Sequence, residues 1–366
     1  MKKCIFHIPN SLEGNYGSHI RPQKMMQAFK DIGYDVDVVM GYGKERKQSI
    51  KKIKKNIRNG VKYDFMYSES STMPTLLTEK NHLPLYPLLD FSFFRFCRKN
   101  GIRIGLFYRD IHWKFPVYKE GVRGWKRGFA ILMYRYDLLC YSHLLDVFYL
   151  PNKKMLDYVD NKRLKERFSI LPPALDKNSF CMQGKSLKNG GEDIHIFYVG
   201  GIGSGYQFHI LLEIINKLPN YRLTICCRER DWKMVCSDYE KLLNDRIEIV
   251  HKSGADLEYY FDRADICSVF LKNSLYMEFA MSIKLFEYME NGKPIIATKG
   301  TANGEFVEEH EIGWSIEYDK DKLEQLLLTI SKNPQLIDEK KRNIEKIAPY
   351  HTWQARASKV MTDLMN

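Results

Sequence analysis

Along the whole chain, short runs of β-branched and aromatic residues alternate with longer stretches whose apolar residues recur at helical spacing. No other feature constrains the fold as strongly, because strand–helix repeats build parallel sheets covered by helices on both faces. The first half predicts strands near 2–8, 34–39, 63–67, 102–107 and 145–149. The second half predicts strands near 194–199, 221–227, 246–250, 265–270, 293–298 and 313–316, with helical patterns such as 206–218 and 320–331 between them. At 366 residues the chain exceeds one ordinary core and suits two domains. The polar, glycine-bearing segment 181–193 reads as a linker. The expectation is therefore an α/β fold of two Rossmann-like domains, 1–180 and 194–351. The last helical patterns, 335–347 and 352–365, have no strand after them, and 352–365 is expected to pack back onto the first domain. Open α/β sheets take ligands at the C-terminal ends of their strands, so the expected site is a cleft between the domains, lined by strand-to-helix loops of both.

Composition removes several classes. An apolar fraction of 44% with 13% aromatics excludes a disordered chain. No apolar run reaches the roughly 18 residues of a membrane-spanning helix, and "MKKCIFHIPN" reads as a first strand rather than a signal peptide. The eight cysteines form no CxxC pair and no Cys/His cluster, which predicts a reduced, cytoplasmic protein without structural zinc. Charge is uneven. Residues 1–183 hold 33 Lys+Arg against 17 Asp+Glu, and residues 184–366 hold 24 against 28. The basic half is expected to meet something anionic.

Three segments carry chemistry. In "YVGGIGSGY", Gly200, Gly201, Gly203, Ser204 and Gly205 crowd one strand-to-helix turn. Such glycines let backbone N–H groups approach a phosphate at a helix N-terminus, although the same run also suits a tight turn with no ligand. In "NSLEGNYGSHIRPQK", Gly14 and Gly17 precede Ser18, read as a helix cap, with Arg21 and Lys24 following. In "SIKLFEYMENGKPIIATKG", residues 282–300, Lys284 and Glu287 share a helix face. A cation in the first turn opposes the helix dipole, and an anion beyond the helix removes that conflict. The plainer alternative is an ion pair on a solvated face, worth a few tenths of a kcal/mol.

This last segment resembles the donor-binding motif of GT-B glycosyltransferases, family 4 above all, in its KLFEYM form. "ILPPALDKNSF" (170–180) is similar to the end of that family's first domain, and "FYRDIHWKFP" (107–116) to its strand ending in a cleft histidine. "YVGGIGSGYQFHILLEII" resembles the first strand and loop of its second domain, and "HKSGADLEYYFDRADICSVF" (251–270) the stretch leading to its base-binding region. The resemblance covers nearly the whole chain in order. It implies a GT-B fold and a retaining transfer from a nucleotide-sugar, with no metal or other cofactor. Lys284 would contact the diphosphate, Glu287 the ribose, the backbone of Gly203–Gly205 the phosphates, and His112 the donor sugar. The family's Arg/Lys pair after the glycine loop is absent, with Gly201 in that region and Arg228 and Arg230 the nearest cations by sequence. Phe279 stands where relatives carry a glutamate. Two rivals follow: a nucleotide-sugar 2-epimerase of the same fold, or a donor-binding partner protein without turnover.

The basic half suits a glycan acceptor linked to lipid. "GKERKQSIKKIKKNIRNGVK" (43–62) holds nine Lys/Arg and one Glu, with Ile50, Ile53 and Ile57 at helical spacing. It reads either as a helix on an anionic bilayer or as a domain helix with its isoleucines inward. Segments 84–100 and 121–141 mix aromatics with Arg and Lys, as interfacial proteins do. Nucleic acid is not an expected partner, since no helix-turn-helix, zinc finger or RNP-like motif is present. The expected setting is the cytoplasmic face of a membrane, where a surface glycan is built.

Overall fold

A computed structural model describes residues 2–12, 17–122, 124–176, 193–203, 206–272 and 274–366. They form two compact units, Met1–Pro173 with Trp353–Asn366, and Ala174–Thr352. Except for Asp193, the predicted linker lies outside the described residues.

The first unit runs β1 (Lys2–His7), α1 (Gly17–Asp31), β2 (Tyr34–Val39), α2 (Gly43–Arg58), β3 (Phe65–Glu69), α3 (Leu89–Lys99), β4 (Arg103–Phe107), α4 (Pro116–Gly121), α5 (Gly124–Leu144), β5 (Val147–Leu150), α6 (Lys162–Glu166) and β6 (Phe168–Ile170). The second runs β7 (Ile194–Val199), α7 (His209–Lys217), β8 (Tyr221–Cys226), α8 (Glu229–Tyr239), β9 (Ile247–Val250), α9 (Glu258–Arg263), β10 (Ile266–Val269), α10 (Ile283–Glu290), β11 (Ile295–Thr298), α11 (Ala302–Glu309), β12 (Gly313–Ile316), α12 (Lys320–Lys332) and α13 (Gln335–Ile347). The last helix, α14 (Trp353–Met365), belongs to the first unit and packs against α1, β3 and β4.

Each unit holds one six-stranded sheet, ordered β2-β1-β3-β4-β5-β6 and β12-β11-β10-β7-β8-β9. The described strand pairs are parallel. The α/β class is thus as predicted. Strands covered on both faces need apolar residues at successive positions, which is why they read as continuous runs. In β7, Ile196 and Tyr198 enter one buried cluster with α7 and α12, while Phe197 enters the other with α9, α10 and α13. β6 was not predicted: three residues with a serine in the middle are too short to show a pattern.

One expectation is corrected, and one pair of alternatives is decided. Helix α1 already includes Gly17, so Ser18 lies within its first turn and not at the cap. In α2, Ile50 and Ile53 are buried, so its apolar stripe covers the domain core and is not presented to a bilayer.

Arg46, one of the nine cations in that segment, is also buried. Its guanidinium donates to both Asp90 oxygens at 2.9 and 3.1 Å and to the carbonyls of Pro9 and Gly41 at 3.0 and 2.7 Å. His7 bonds Asp90 Oδ1 at 2.9 Å and Ser68 Oγ at 2.8 Å. Burial pushes the Asp90 carboxyl up, but His7 and Arg46 outweigh it and hold it below its ordinary value. Burial drives the His7 pKa down. The network joins β1, α2, β3 and α3. Asp90→Ala leaves a buried guanidinium unpaired and is expected to cost about 3–5 kcal/mol. Urea unfolding checks this; a loss below about 1 kcal/mol would show the network to be dispensable.

Candidate active site

In the second sheet the chain begins at β7, lays β8 and β9 on one side, and β10, β11 and β12 on the other. The connections leaving the C-terminal ends of β7 and β10 therefore diverge and open a crevice, the usual ligand position in open α/β sheets. The glycine loop leaves β7, and α10 follows β10. The fold thus brings the "YVGG" and "IKLFEYM" segments together.

Ser282 caps α10: its Oγ accepts from the Lys284 N–H at 3.2 Å, and its own N–H donates to Asn303 Oδ1 at 3.0 Å. Leu285, Phe286, Tyr288 and Met289 are buried. Lys284 and Glu287 are both half-buried, so they do not form an ion pair on a solvated face. The Lys284 ammonium turns instead to β7 and its loop. It donates to Tyr198 Oη at 3.2 Å and lies 5.0 and 5.2 Å from the ring centres of Tyr198 and Tyr206. Such a geometry attracts a cation to both rings.

The loop is shaped around that side chain. A Cβ on Gly200 would fall 1.7 Å from Lys284 Nζ, and its φ of +155° suits glycine. Tyr198 Oη donates to the Gly201 carbonyl at 2.7 Å, and the Val199 N–H donates to Tyr288 Oη at 3.1 Å. The Tyr206 N–H donates to the Gly203 carbonyl at 2.9 Å, which turns the chain so that the Tyr206 ring reaches Lys284. Ser204 and Gly205 lie outside the described residues.

Burial pulls the Lys284 ammonium down to about 8; Glu287 opposes this, and Arg228 adds to it. Burial likewise raises the Glu287 carboxyl, with Lys284 opposing. Arg228 stands at the start of α8, its side chain 83% exposed and its Nε 3.5 Å from Asp231 Oδ2. Arg228, in water at the end of β8, is thus near enough for its charge to act on the half-buried Lys284. Phe279 is buried, its ring edge-on to Tyr276.

In the first unit, His112 lies on a short turn after β4. Its N–H donates to Asp110 Oδ1 at 2.9 Å, and its ring meets Tyr118 and Tyr134 edge-on. Gly17 and Ser18 form the first turn of α1. At the ends of β3 and β4, buried Glu69 faces Arg21 Nε at 3.3 Å and Arg109 Nη2 at 3.0 Å. Arg21 also stacks on Phe107, 3.5 Å from the ring centre. Arg21 is thus tied into the domain by a buried carboxylate.

Sequence reading missed Tyr198, Tyr206 and Gly200's contact with Lys284. The Tyr198 ring is buried in the strand core while its hydroxyl meets Lys284. The signal was a polar-tipped aromatic at the strand's end, directly before paired glycines. Among the described residues, no group of three or more His, Cys, Asp or Glu is placed to hold a metal, and no helix is long and apolar enough to cross a membrane.

Residues 183–349, which take in most of the second unit, match the family model described as glycosyl transferases group 1. No curated protein matches the chain. Among solved structures, Alr3699/HepE from Anabaena in complex with UDP-glucose has a TM-score of 0.64 at 12% identity, covering 98% of each chain. A glycosyltransferase from Rickettsia africae has 0.63 at 11% identity, covering 100% of this chain and 99% of that one. A putative UDP-N-acetylglucosamine 2-epimerase from Listeria monocytogenes has 0.51 at 12% identity, covering 99% and 95%. At such identities the likeness is one of fold, and the two-domain α/β architecture is shared with all three.

The lysine's environment yields a test of its own. Folding takes a Lys284 cation out of water, so the folded state favours its neutral form. The unfolded chain then binds more protons between about 8 and the ordinary lysine range, and this contribution to stability rises with pH. Lys284→Met should melt at or above the parent's temperature at pH 7, with the gap closing toward pH 10. A drop of several degrees at pH 7 would make Lys284 a structural residue.

Proposed function

We propose that this glycosyltransferase moves a sugar from a nucleoside-diphosphate donor, and that Lys284 meets the donor's diphosphate. The observation that carries this reading is the desolvated ammonium at the switch point of the second sheet, held by two aromatic rings and a hydroxyl instead of a carboxylate. Arg228, at the next strand end, adds a second positive charge. An anion entering the crevice gives Lys284 an ion-pair contact that none of the described residues makes.

The chemistry follows from the charges. The bond between the sugar's anomeric carbon and the diphosphate oxygen breaks, and negative charge grows on the leaving diphosphate. A fixed cation there stabilises the transition state more than the ground state. Lys284 and Arg228 supply that charge, and Glu287 accepts from ribose hydroxyls. The motif resemblance assigns His112 to the donor sugar and the backbone of Gly203–Gly205 to the phosphates, while Gly17 and Ser18 belong to the glycine loop read at the first helix of the first unit. It also supports retention: the acceptor oxygen attacks the face the diphosphate leaves, and its proton passes to the departing phosphate. No protein nucleophile and no metal ion is assigned. The acceptor proposed is a lipid-linked surface glycan at an anionic membrane, matching the positive balance of residues 1–183.

Lys284→Ala should weaken UDP binding by about 1.5–3 kcal/mol, or roughly 10–150-fold, while leaving uridine binding nearly unchanged. Calorimetry on both ligands decides: equal losses, or none, would detach Lys284 from the diphosphate. In the parent, UDP affinity should fall as pH rises through about 8, where free Lys284 loses its proton; a flat profile from pH 7 to 10 contradicts the assignment.

Turnover with a sugar nucleotide should release UDP and survive a chelator. EDTA-abolished activity restored by magnesium overturns the metal-free mechanism. Interconversion of the sugar nucleotide without UDP release identifies an epimerase instead.

A further inference from the structure

Helix α5 is apolar on both sides. Ala130, Tyr134, Leu138 and Tyr141 face the core of the first unit and are buried. On the opposite side Trp125 is 76% exposed, Leu132 57% and Leu139 55%, with Phe129 between them. Positions 125, 129, 132, 136 and 139 follow one another by four and three residues, so they form a single stripe. Leu88, 66% exposed at the head of α3, extends it across a groove of about 570 Å³ lined by Phe91, Arg95, Tyr136, Leu139 and His143. A monomer in water seldom leaves so many large apolar side chains contiguous and uncovered.

The charges around the stripe select its occupant. Arg95, Arg98, Lys99, Lys126 and Arg135 are exposed on the same two helices. The only acids of α3 and α5, Asp90 and Asp137, are buried. A second copy docking through this patch would set these cations against their own images, because a two-fold contact pairs a surface with itself. An anionic lipid surface satisfies both features. Leucine, tryptophan and phenylalanine enter the boundary between headgroups and acyl chains, and the flanking Arg and Lys remain among the phosphates. Helix α2 offers lysines but no apolar stripe, since Ile50 and Ile53 are buried.

We propose that the outer stripe of α5, with Leu88 of the α3 edge, is the surface by which this protein lies on an anionic bilayer. This deepens the membrane part of the function proposed above and rests on it. The test separates the two, because vesicle binding and UDP binding are read independently. The full chain is sedimented with vesicles of phosphatidylcholine containing one-third phosphatidylglycerol, and with phosphatidylcholine alone. The double variant Leu132→Ser, Leu139→Ser should bind the anionic vesicles at least about tenfold more weakly than the parent, because it removes the inserted apolar area. Its melting temperature and UDP affinity should be unchanged. Replacing Lys51, Lys52, Lys54 and Lys55 on α2 with glutamine should have a smaller effect. Parent-like binding by the leucine variant overturns the proposal, as does a loss caused by the α2 changes alone. A parent that forms dimers which the leucine changes dissolve, without binding vesicles, assigns the stripe to a second copy and equally overturns it. If melting falls, Leu132→Gln alone, at a 57% exposed position, is read in the same assay with the same two outcomes.

Discussion

A lysine ammonium drawn partly out of water, with no carboxylate in ion-pair contact among the described residues, is an unfavourable thing to build, and the second unit is arranged to build it. The strand order opens a crevice beside β7. Ser282 fixes the start of α10 so that Lys284 points into it, and Gly200 leaves no Cβ in the ammonium's way. Tyr198, anchored through its hydroxyl to the Gly201 carbonyl, gives Lys284 a ring face and one acceptor. These contacts offset part of the lost hydration and leave the rest to be regained from an anion. On the proposed function, the charge is held in place before the diphosphate arrives, which is what electrostatic catalysis requires.

The first unit shows the other way to bury a cation. Arg46 has both Asp90 oxygens and two backbone carbonyls around it, and His7 completes the carboxylate's shell. Such a network fixes the joint between helices and strands and has no unmet demand for a ligand. Lys284 differs in kind: its partners are neutral, and its proton is loosely held. That contrast between a satisfied and an unsatisfied buried cation is the physical ground for placing the donor's diphosphate at Lys284.

Much of this was legible in the sequence. Strands covered on both faces must be apolar throughout, so nearly all strands of both sheets announced themselves, while the three-residue β6 carried too little pattern. The spacing of Lys284 and Glu287 was visible, but not their burial, because a period shows which residues share a side and not what covers it. The same limit explains α2 and α5. In α2 the isoleucine stripe was plain, and only packing showed that it faces inward. In α5 apolar residues line both sides, so no single stripe stood out, and the exposed one emerged only after the buried one was known. Tyr198 was hidden because its ring is core and its hydroxyl is site.

The most direct measurement is the titration of the Lys284 ammonium itself, followed by NMR on selectively labelled lysine with and without UDP. Lys284 should lose its proton near 8 in the free protein and at clearly higher pH once UDP is bound. A lysine that titrates in its ordinary range, and takes no notice of UDP, would contradict the account.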